Sequence, residues 1–526
     1  MSHDEREPAE PWFEDAAPSS TVGFLLRFAV PGMVGALLLA LGAVGVGWLP
    51  PLYNFDAYPL IGDLRSNLGS WFARGMVIAG GALILQSWLI LGVKVMRGTV
   101  RDLHRLWVVL ALWCVPLVLA PPLFSRDVYS YFVQGKLFVS GLDPYSTGVG
   151  VLPGWFQDGV DPQWILTPAP YGPLWLSLSR GVVALVGENA YLGTLCFRAL
   201  ALAGVALMAY YVPRLAFHCG IDGAKALWLG VMNPLVLLLF VVSEHNDALM
   251  VGLMIAGLTI VAERRPVQGI LLITAAIAIK PIAVIALPFA GLLWAGASSD
   301  LRRRITRWAQ TAGISLVTFF GISAVIGTGY GWIAALSGPS TYTTWLSPPT
   351  ALGMIVGSLG NHIGLGDHTD GALQVTRALG LLLGGLIIAW LCLKPQGRTP
   401  VRGLALAFLA IVALGPTFQT WYLLWILCLL AASGLTARAL RVVLLLIAGA
   451  TVYTLCETSA ARGPYFGWND GLAMVLTVVV IAVAIFASRR ERMLLLGDPV
   501  SHGLLPEDPP SQSRHDRLVM RPASGS

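Results

Sequence analysis

"VQGILLITAAIAIKPIAVIALPFAGLLWAG", residues 267–296, is apolar enough for one long membrane crossing, yet carries a lysine and a proline at its middle. Read as a single span, it would deliver the basic cluster "RRRITR" at 302–307 to the outer side of a membrane. Lys and Arg collect instead in cytoplasmic loops. Splitting the stretch at "IKPI" into two short helices returns that cluster to the inside and repairs every later loop. Pro281 supports the break, because it removes a backbone donor and disfavours helix in the residue before it. Lys280 is thereby left at the outer end of a broken helix pair.

The rest of the chain agrees with a membrane setting. Of 526 residues, 56% are hydrophobic and 12% charged, with a mean hydropathy of +0.72. Soluble domains carry roughly 25% charged residues, so the fold class expected is an all-α polytopic membrane protein. The net charge of +6 comes from short basic clusters between apolar runs, the pattern that orients spans and not a stripe for nucleic acid. Cysteines 114, 196, 219, 392, 428 and 456 lie in or beside apolar segments without paired spacing, which indicates neither a disulfide framework nor a metal site.

Spans are expected over 24–49, 75–96, 106–122, 190–212, 226–243, 247–262, 267–279, 281–296, 308–327, 371–394, 402–416, 420–433, 440–456 and 470–488. Residues 1–22 read as a cytoplasmic tail without signal-peptide character, and 489–526, Pro-rich and charged, as a second, disordered one. Alternation from a cytoplasmic N-terminus puts Lys94, Arg97, Arg101, Arg105, Arg214, Lys225, Arg264, Arg265, Lys394, Arg398, Arg402, Arg438 and Arg441 inside. It puts outside the large loop 123–189, the "SEHND" corner at 243–247, Lys280, loop 328–370, a second break at Gln419 to Tyr422, and "ETSAARGPYFGWND" at 457–470.

The outer segments hold the candidate chemistry. In "FSRDVYSYFVQGKLFVSGLDPYSTG", 124–148, helical spacing aligns Asp127, Tyr131 and Gln134 on one face. Asp127 then sits in the first turn, where the helix dipole favours an ionised carboxylate fit to act as a general base; it reads equally as a plain N-terminal helix charge. Asp143 in "GLDPY" is either a turn former or a ligand contact. Tyr171 and Trp175 in "TPAPYGPLWL" suit an interfacial belt or a sugar-stacking wall alike. Glu244, His245, Asn246 and Asp247 are four polar residues between apolar spans, a place where polar groups mark function or form an isolated loop tip. Lys280, within apolar surroundings, calls for an anion such as a phosphate, or snorkels to the surface. No phosphate-binding loop or dinucleotide fingerprint is present, which argues against ATP or a nucleotide sugar.

The run "FSRDVYSYFVQG…GLDPY…APYGPLWL", with "NPLVLL…EHNDALMVGLM" and "IAIKPIAVIALPF", resembles the actinobacterial polyprenol-phosphomannose-dependent α-1,6-mannopyranosyltransferases of the GT-C glycosyltransferase class, over roughly residues 24–488. The resemblance implies a GT-C domain over 23–488 with about 11–14 transmembrane helices, short interfacial helices on outer loops and an extracytoplasmic active site in the plasma membrane. It implies a polyprenyl-phosphate-mannose donor, a lipid-linked mannan acceptor, and Asp127 as the catalytic residue. Lys280 and Arg126 would meet the donor phosphate. Asp143, Tyr171, Tyr131 and Glu244 to Asp247 would contact substrate. No cofactor is required by this chemistry, although a divalent metal is not excluded. The loop follows the third span, whereas the GT-C pattern has it after the first; Asp56 in "YNFDAYPLIGD" lies in the earlier loop but lacks the surrounding motif. Rival readings are another GT-C enzyme, transferring arabinofuranose, or mannose to protein or in a different linkage, and a lipid-linked glycan transporter or flippase. The latter would keep its polar site nearer the midplane.

Overall fold

A computed structural model describes residues 20–457 apart from 297–298, 336–342, 365 and 396, together with positions 475, 478, 479, 482 and 504. The terminal tails, the outer loop beyond 457 and nearly all of the expected span 470–488 lie outside the described residues. In chain order the helices are α1 (Thr21–Val46), α2 (Pro59–Arg65), α3 (Asn67–Met96), α4 (Leu103–Cys114), α5 (Asp127–Val139), α6 (Pro173–Val186), α7 (Ala190–His218), α8 (Gly223–Gly230), α9 (Asp247–Ala262), α10 (Pro266–Ile279), α11 (Ala286–Ala295), α12 (Leu301–Ile326), α13 (Trp332–Ala335), α14 (Pro348–His362), α15 (Thr369–Leu393), α16 (Pro400–Leu414), α17 (Leu423–Ser433) and α18 (Ala437–Glu457). Between α8 and α9 lies a π-helical turn, Val236–Val242.

Local sequence explains the boundaries. Side chains of Ser20, Asp102, Asn189, Asp222, Asp300, Ser347 and Thr399 accept hydrogen bonds from first-turn amides of the helices that follow them. Pro173, Pro266, Pro348 and Pro400 open α6, α10, α14 and α16, where the missing N–H has no partner to lose.

Six of the described helices, α1, α3, α7, α12, α15 and α18, are long and apolar enough to cross a membrane. The π turn and α9 together make a seventh candidate, bent by 111°. The protein is thus the all-α polytopic membrane protein expected, and among the described residues fewer than 11 helices are long enough to cross by themselves. Half-length apolar helices account for the difference: Leu103–Leu117, α6, α10, Pro281–Ala295, α16 and Thr420–Ser433. The break at "IKPI" is present, since α10 ends at Ile279 and Lys280 is extended with φ −141° and ψ 115°. The second break, at 415–422, separates α16 from α17. α6 and α14 are additional to the expected spans, and α3 begins at Asn67, eight residues before the start set at 75, because Ser66 caps it.

α7, α9 and α10 form the middle of the bundle and approach closely through glycines. A Cβ on Gly257 would lie 2.6 Å from the Gly269 carbonyl oxygen, and one on Gly269 2.4 Å from that of Gly257. Nearer the N-terminus, Trp88 and Trp228 stack at 4.9 Å, and each indole N–H donates to the other's backbone carbonyl, at 3.0 and 2.9 Å. α12 and α15 leave most of their apolar surface exposed. The loops expected on opposite sides segregate. Asp127, Tyr171, Lys280 and Gln419 line one cavity, whereas His218, Arg304, Arg398 and Thr399 line another.

Gly269→Ala is expected to cost about 1–3 kcal/mol, the cost of overpacking. Gly313→Ala on α12, where a Cβ meets nothing within 4 Å, should leave stability equal or raised. Thermal unfolding in one neutral detergent compares them, and equal melting temperatures for the two would contradict the close α9–α10 contact.

Candidate functional site

Asp127 opens α5, and its backbone N–H donates to Ser125 Oγ at 3.1 Å. Its side chain faces a cavity of about 290 Å³ also lined by Ser130, Gln134, Tyr171, Lys280 and Tyr422. Burial raises the Asp127 carboxyl to about 6. The Lys280 charge opposes that rise, and the negative charges of Asp247 and Asp161 add to it. At neutral pH the carboxylate is therefore mostly ionised, with a proton affinity greater than that of an exposed aspartate.

Lys280 reaches the cavity because Pro281 stops α10 directly after it. Its Nζ donates to both carboxylate oxygens of Asp247, at 2.9 and 2.8 Å, and lies 5.5 Å from the ring centroids of both Tyr422 and Trp425. Trp425 Nε1 donates to Asp247 Oδ1 at 2.6 Å. Asp247 is fully buried and thus a fixed anchor for the ammonium. Three donors on Nζ and two taken by Asp247 leave one for the cavity.

"EHND" forms a layer beneath the cavity and not its wall. Glu244, at φ 49°, pairs with Arg198, whose Nε and Nη1 donate to the carbonyls of Val241 (3.1 Å) and Val118 (2.8 Å). His245 stacks on Trp421 at 3.7 Å, with Nδ1 3.5 Å from Asp127 Oδ2. Asn246 is buried beside them. None of these four lines the cavity, because the bend between the π turn and α9 turns them into the bundle. They were expected at substrate, whereas the structure sets them behind the groups that face it.

The other expected residues divide. Tyr171 lines the cavity, while Tyr131 is buried behind it, edge-on to Tyr171 at 5.3 Å and to Trp175 at 5.0 Å. Asp143 Oδ1 accepts from the Tyr145 N–H at 2.9 Å, which makes it a turn residue away from the cavity. Arg126, expected at the donor phosphate with Lys280, points elsewhere: Nε and Nη2 donate to the carbonyls of Gly159 and Val160, both at 2.7 Å, and its guanidinium lies 4.4 Å over Trp48. Asp56 is paired with Arg65 at 2.7 Å, also outside the cavity. Among the described residues, no group of three or more His, Cys, Asp or Glu side chains is placed to hold a metal ion. Ser130, Trp164, Thr167, Trp421 and Trp425 line the cavity without having been singled out. Ser130 was open to sequence reading, since it follows Asp127 by three and precedes Gln134 by four on one helix face.

Fold and cavity define a polytopic membrane protein with a carboxylate, an ammonium and aromatic rings gathered at breaks in its apolar helices. The chain belongs to the alpha-(1->6)-mannopyranosyltransferase family. The model of that family's N-terminal domain matches residues 29–296, and the MptB C-terminal domain matches 349–492. It is 36% identical to alpha-(1->6)-mannopyranosyltransferase A of Mycobacterium tuberculosis, over 78% of this chain and 81% of that one. A second alpha-(1->6)-mannopyranosyltransferase of the same organism is 33% identical over 88% of both chains. Alpha-(1->6)-mannopyranosyltransferase A of Corynebacterium glutamicum is 30% identical over 77% of this chain and 86% of that one. No solved structure matches the chain.

Lys280→Met is expected to destabilise the protein by about 3–5 kcal/mol, since it leaves the buried Asp247 carboxylate without its counter-ion. Lys280→Met combined with Asp247→Leu should recover part of that loss. Additive losses in thermal unfolding would show that the two side chains act independently.

Proposed function

We propose that the protein transfers mannose from polyprenyl-phosphate mannose to the 6-hydroxyl of a growing α-1,6-mannan, the backbone of a lipomannan or lipoarabinomannan, on the extracytoplasmic face. The observation that carries this reading is the shared cavity of Asp127 and Lys280, joined to the activity for which the family is named. The wall formed by Pro281, Ile282, Leu381, Ile411 and Val412 is apolar, and Leu381 is exposed on the outside of α15, which suits a prenyl chain lying in lipid. Trp164, Thr167, Gln134 and Tyr171, which also line the cavity, offer hydrogen-bonding groups and rings to sugars. The position of the Arg304 and Arg398 cavity, in the loops assigned inside, favours an outer site for Asp127.

The step is one inverting displacement. The acceptor O6 attacks C1 of the donor mannose and gives its proton to Asp127. The C1–O bond to phosphate breaks, and the phosphate leaves with the electron pair. Lys280 Nζ, held by Asp247, directs its remaining N–H at the charge that develops on the leaving oxygen. His245 lies behind Asp127, with Nδ1 3.5 Å from Oδ2. A β-linked donor then yields an α-linked product.

Asp127→Asn should lower transfer from polyprenyl-phosphate mannose to a synthetic α-1,6-dimannoside by about 100-fold or more. In the unaltered protein, transfer should rise with pH through about 6 and level off above, because only the ionised carboxylate accepts the proton. Near-normal turnover by folded Asp127→Asn would remove the base assignment. A rate falling as pH rises through this range would reverse the proton's direction.

A further inference from the structure

The face of α5 that carries Asp127 holds two more polar side chains to which the transfer step gives no role. Ser130 and Gln134 are each 5% exposed, and both line the cavity. Ser130 Oγ and Gln134 Oε1 are buried with no hydrogen-bond partner among the described residues. Buried hydroxyls on other helices of this chain are satisfied locally. Ser87, Thr259, Thr274 and Thr451 donate to the carbonyls four residues back, at 2.7, 2.8, 2.8 and 2.7 Å. Ser130 makes no such bond. Buried polar atoms of folded proteins are nearly always paired, so two that stand open on one cavity wall point to a bound molecule that pairs them. Ser179 Oγ on α6 is also unpaired but does not line this cavity.

The packing of α5 fixes which way this face points. A Cβ on Gly135 would lie 2.4 Å from the Ser179 carbonyl oxygen, so the helix sits directly against α6. Elsewhere on α5, Tyr129 Oη donates to the Trp48 carbonyl at 2.5 Å, and Lys136 Nζ pairs with Asp158 at 2.9 Å. Asp127, Ser130 and Gln134 thus keep one line along the cavity wall over two helical turns, about 11 Å. A line of that length extends beyond one hexose ring. In-line displacement sets the acceptor and the leaving phosphate on opposite sides of C1. With the phosphate at Lys280 and the acceptor O6 at Asp127, the helix face that continues from Asp127 falls to the acceptor.

We propose that Ser130 and Gln134 form an acceptor subsite, in which Ser130 hydrogen-bonds a hydroxyl of the mannose that receives the transfer and Gln134 a hydroxyl of the residue before it in the glycan. The assignment rests on the transfer reading above. It makes an α-1,6-linked disaccharide a better acceptor than a single mannoside, with Gln134 as the source of the difference.

The test uses full-length protein in lipid nanodiscs and initial rates with polyprenyl-phosphate mannose against methyl α-mannoside and methyl α-1,6-mannobioside. Ser130→Ala should raise the KM of both acceptors about fivefold, and Gln134→Met that of the disaccharide alone, each the effect of one lost hydrogen bond. Ser130→Thr, which keeps the hydroxyl, should fall between wild type and Ser130→Ala. The donor KM should not move, a split that a merely structural role would not produce. Wild-type transfer with unchanged acceptor KM in both folded variants overturns the subsite and leaves the transfer reading standing. A rise in donor KM in place of acceptor KM gives the pair to the donor sugar and overturns the subsite as well. No transfer by folded wild type overturns both readings. Should Gln134→Met not fold, Gln134→Asn, one methylene shorter, takes its place with the same expected loss.

Discussion

The ion pair between Lys280 and Asp247 is the constraint on which the candidate site depends. An aspartate with no exposed surface in an apolar bundle is tolerable only beside a matched cation, and Lys280 supplies it with two short hydrogen bonds. The pair requires both breaks in the helices. Pro281 ends α10 where the lysine must emerge, and the bend before α9 presents Asp247 at that level. Trp425, from beyond the second break, closes the arrangement by donating to the same carboxylate. Three distant segments are thereby tied at one point, and the cavity opens beside it.

From this anchor the remaining geometry follows. α5 lines the cavity with Asp127 in its first turn, backed by His245, which in turn stacks on Trp421. The buried Glu244–Arg198 pair ties the "EHND" corner to α7 and, through the Val118 carbonyl, to the segment leading into α5. The polar residues of the corner thus pack directly behind Asp127 and Lys280. Burial of Asp127 raises its proton affinity above that of an exposed aspartate. The neighbouring ammonium keeps that affinity from rising further.

Much of this was legible in the sequence because it followed from charge and proline. The break at Lys280 could be read from the "RRRITR" cluster and Pro281 alone, and Asp127 from its place at a helix start after an apolar run. What sequence did not show was depth. "EHND" looks like an exposed polar corner, since nothing local reveals that a π turn and a 111° bend fold it inward. Arg126, next to Asp127 in the chain, is expected at the donor phosphate, whereas adjacent residues at a helix start point in different directions, and the Gly159 and Val160 carbonyls claim it. Trp421 and Trp425 gave no local signal because their partners lie far away in the chain, 178 residues in the case of Trp425 and Asp247.

The central claim is that the cavity beside the Lys280–Asp247 pair receives the phosphate end of a lipid carrier. A photoreactive polyprenyl-phosphate analogue, cross-linked to the full-length protein in membranes and mapped by peptide mass spectrometry, tests it most directly. The account predicts label on the 164–171 and 411–425 segments, competed by unlabelled polyprenyl phosphate. Label confined to other segments, or competed equally by a polyprenol without phosphate, would contradict it.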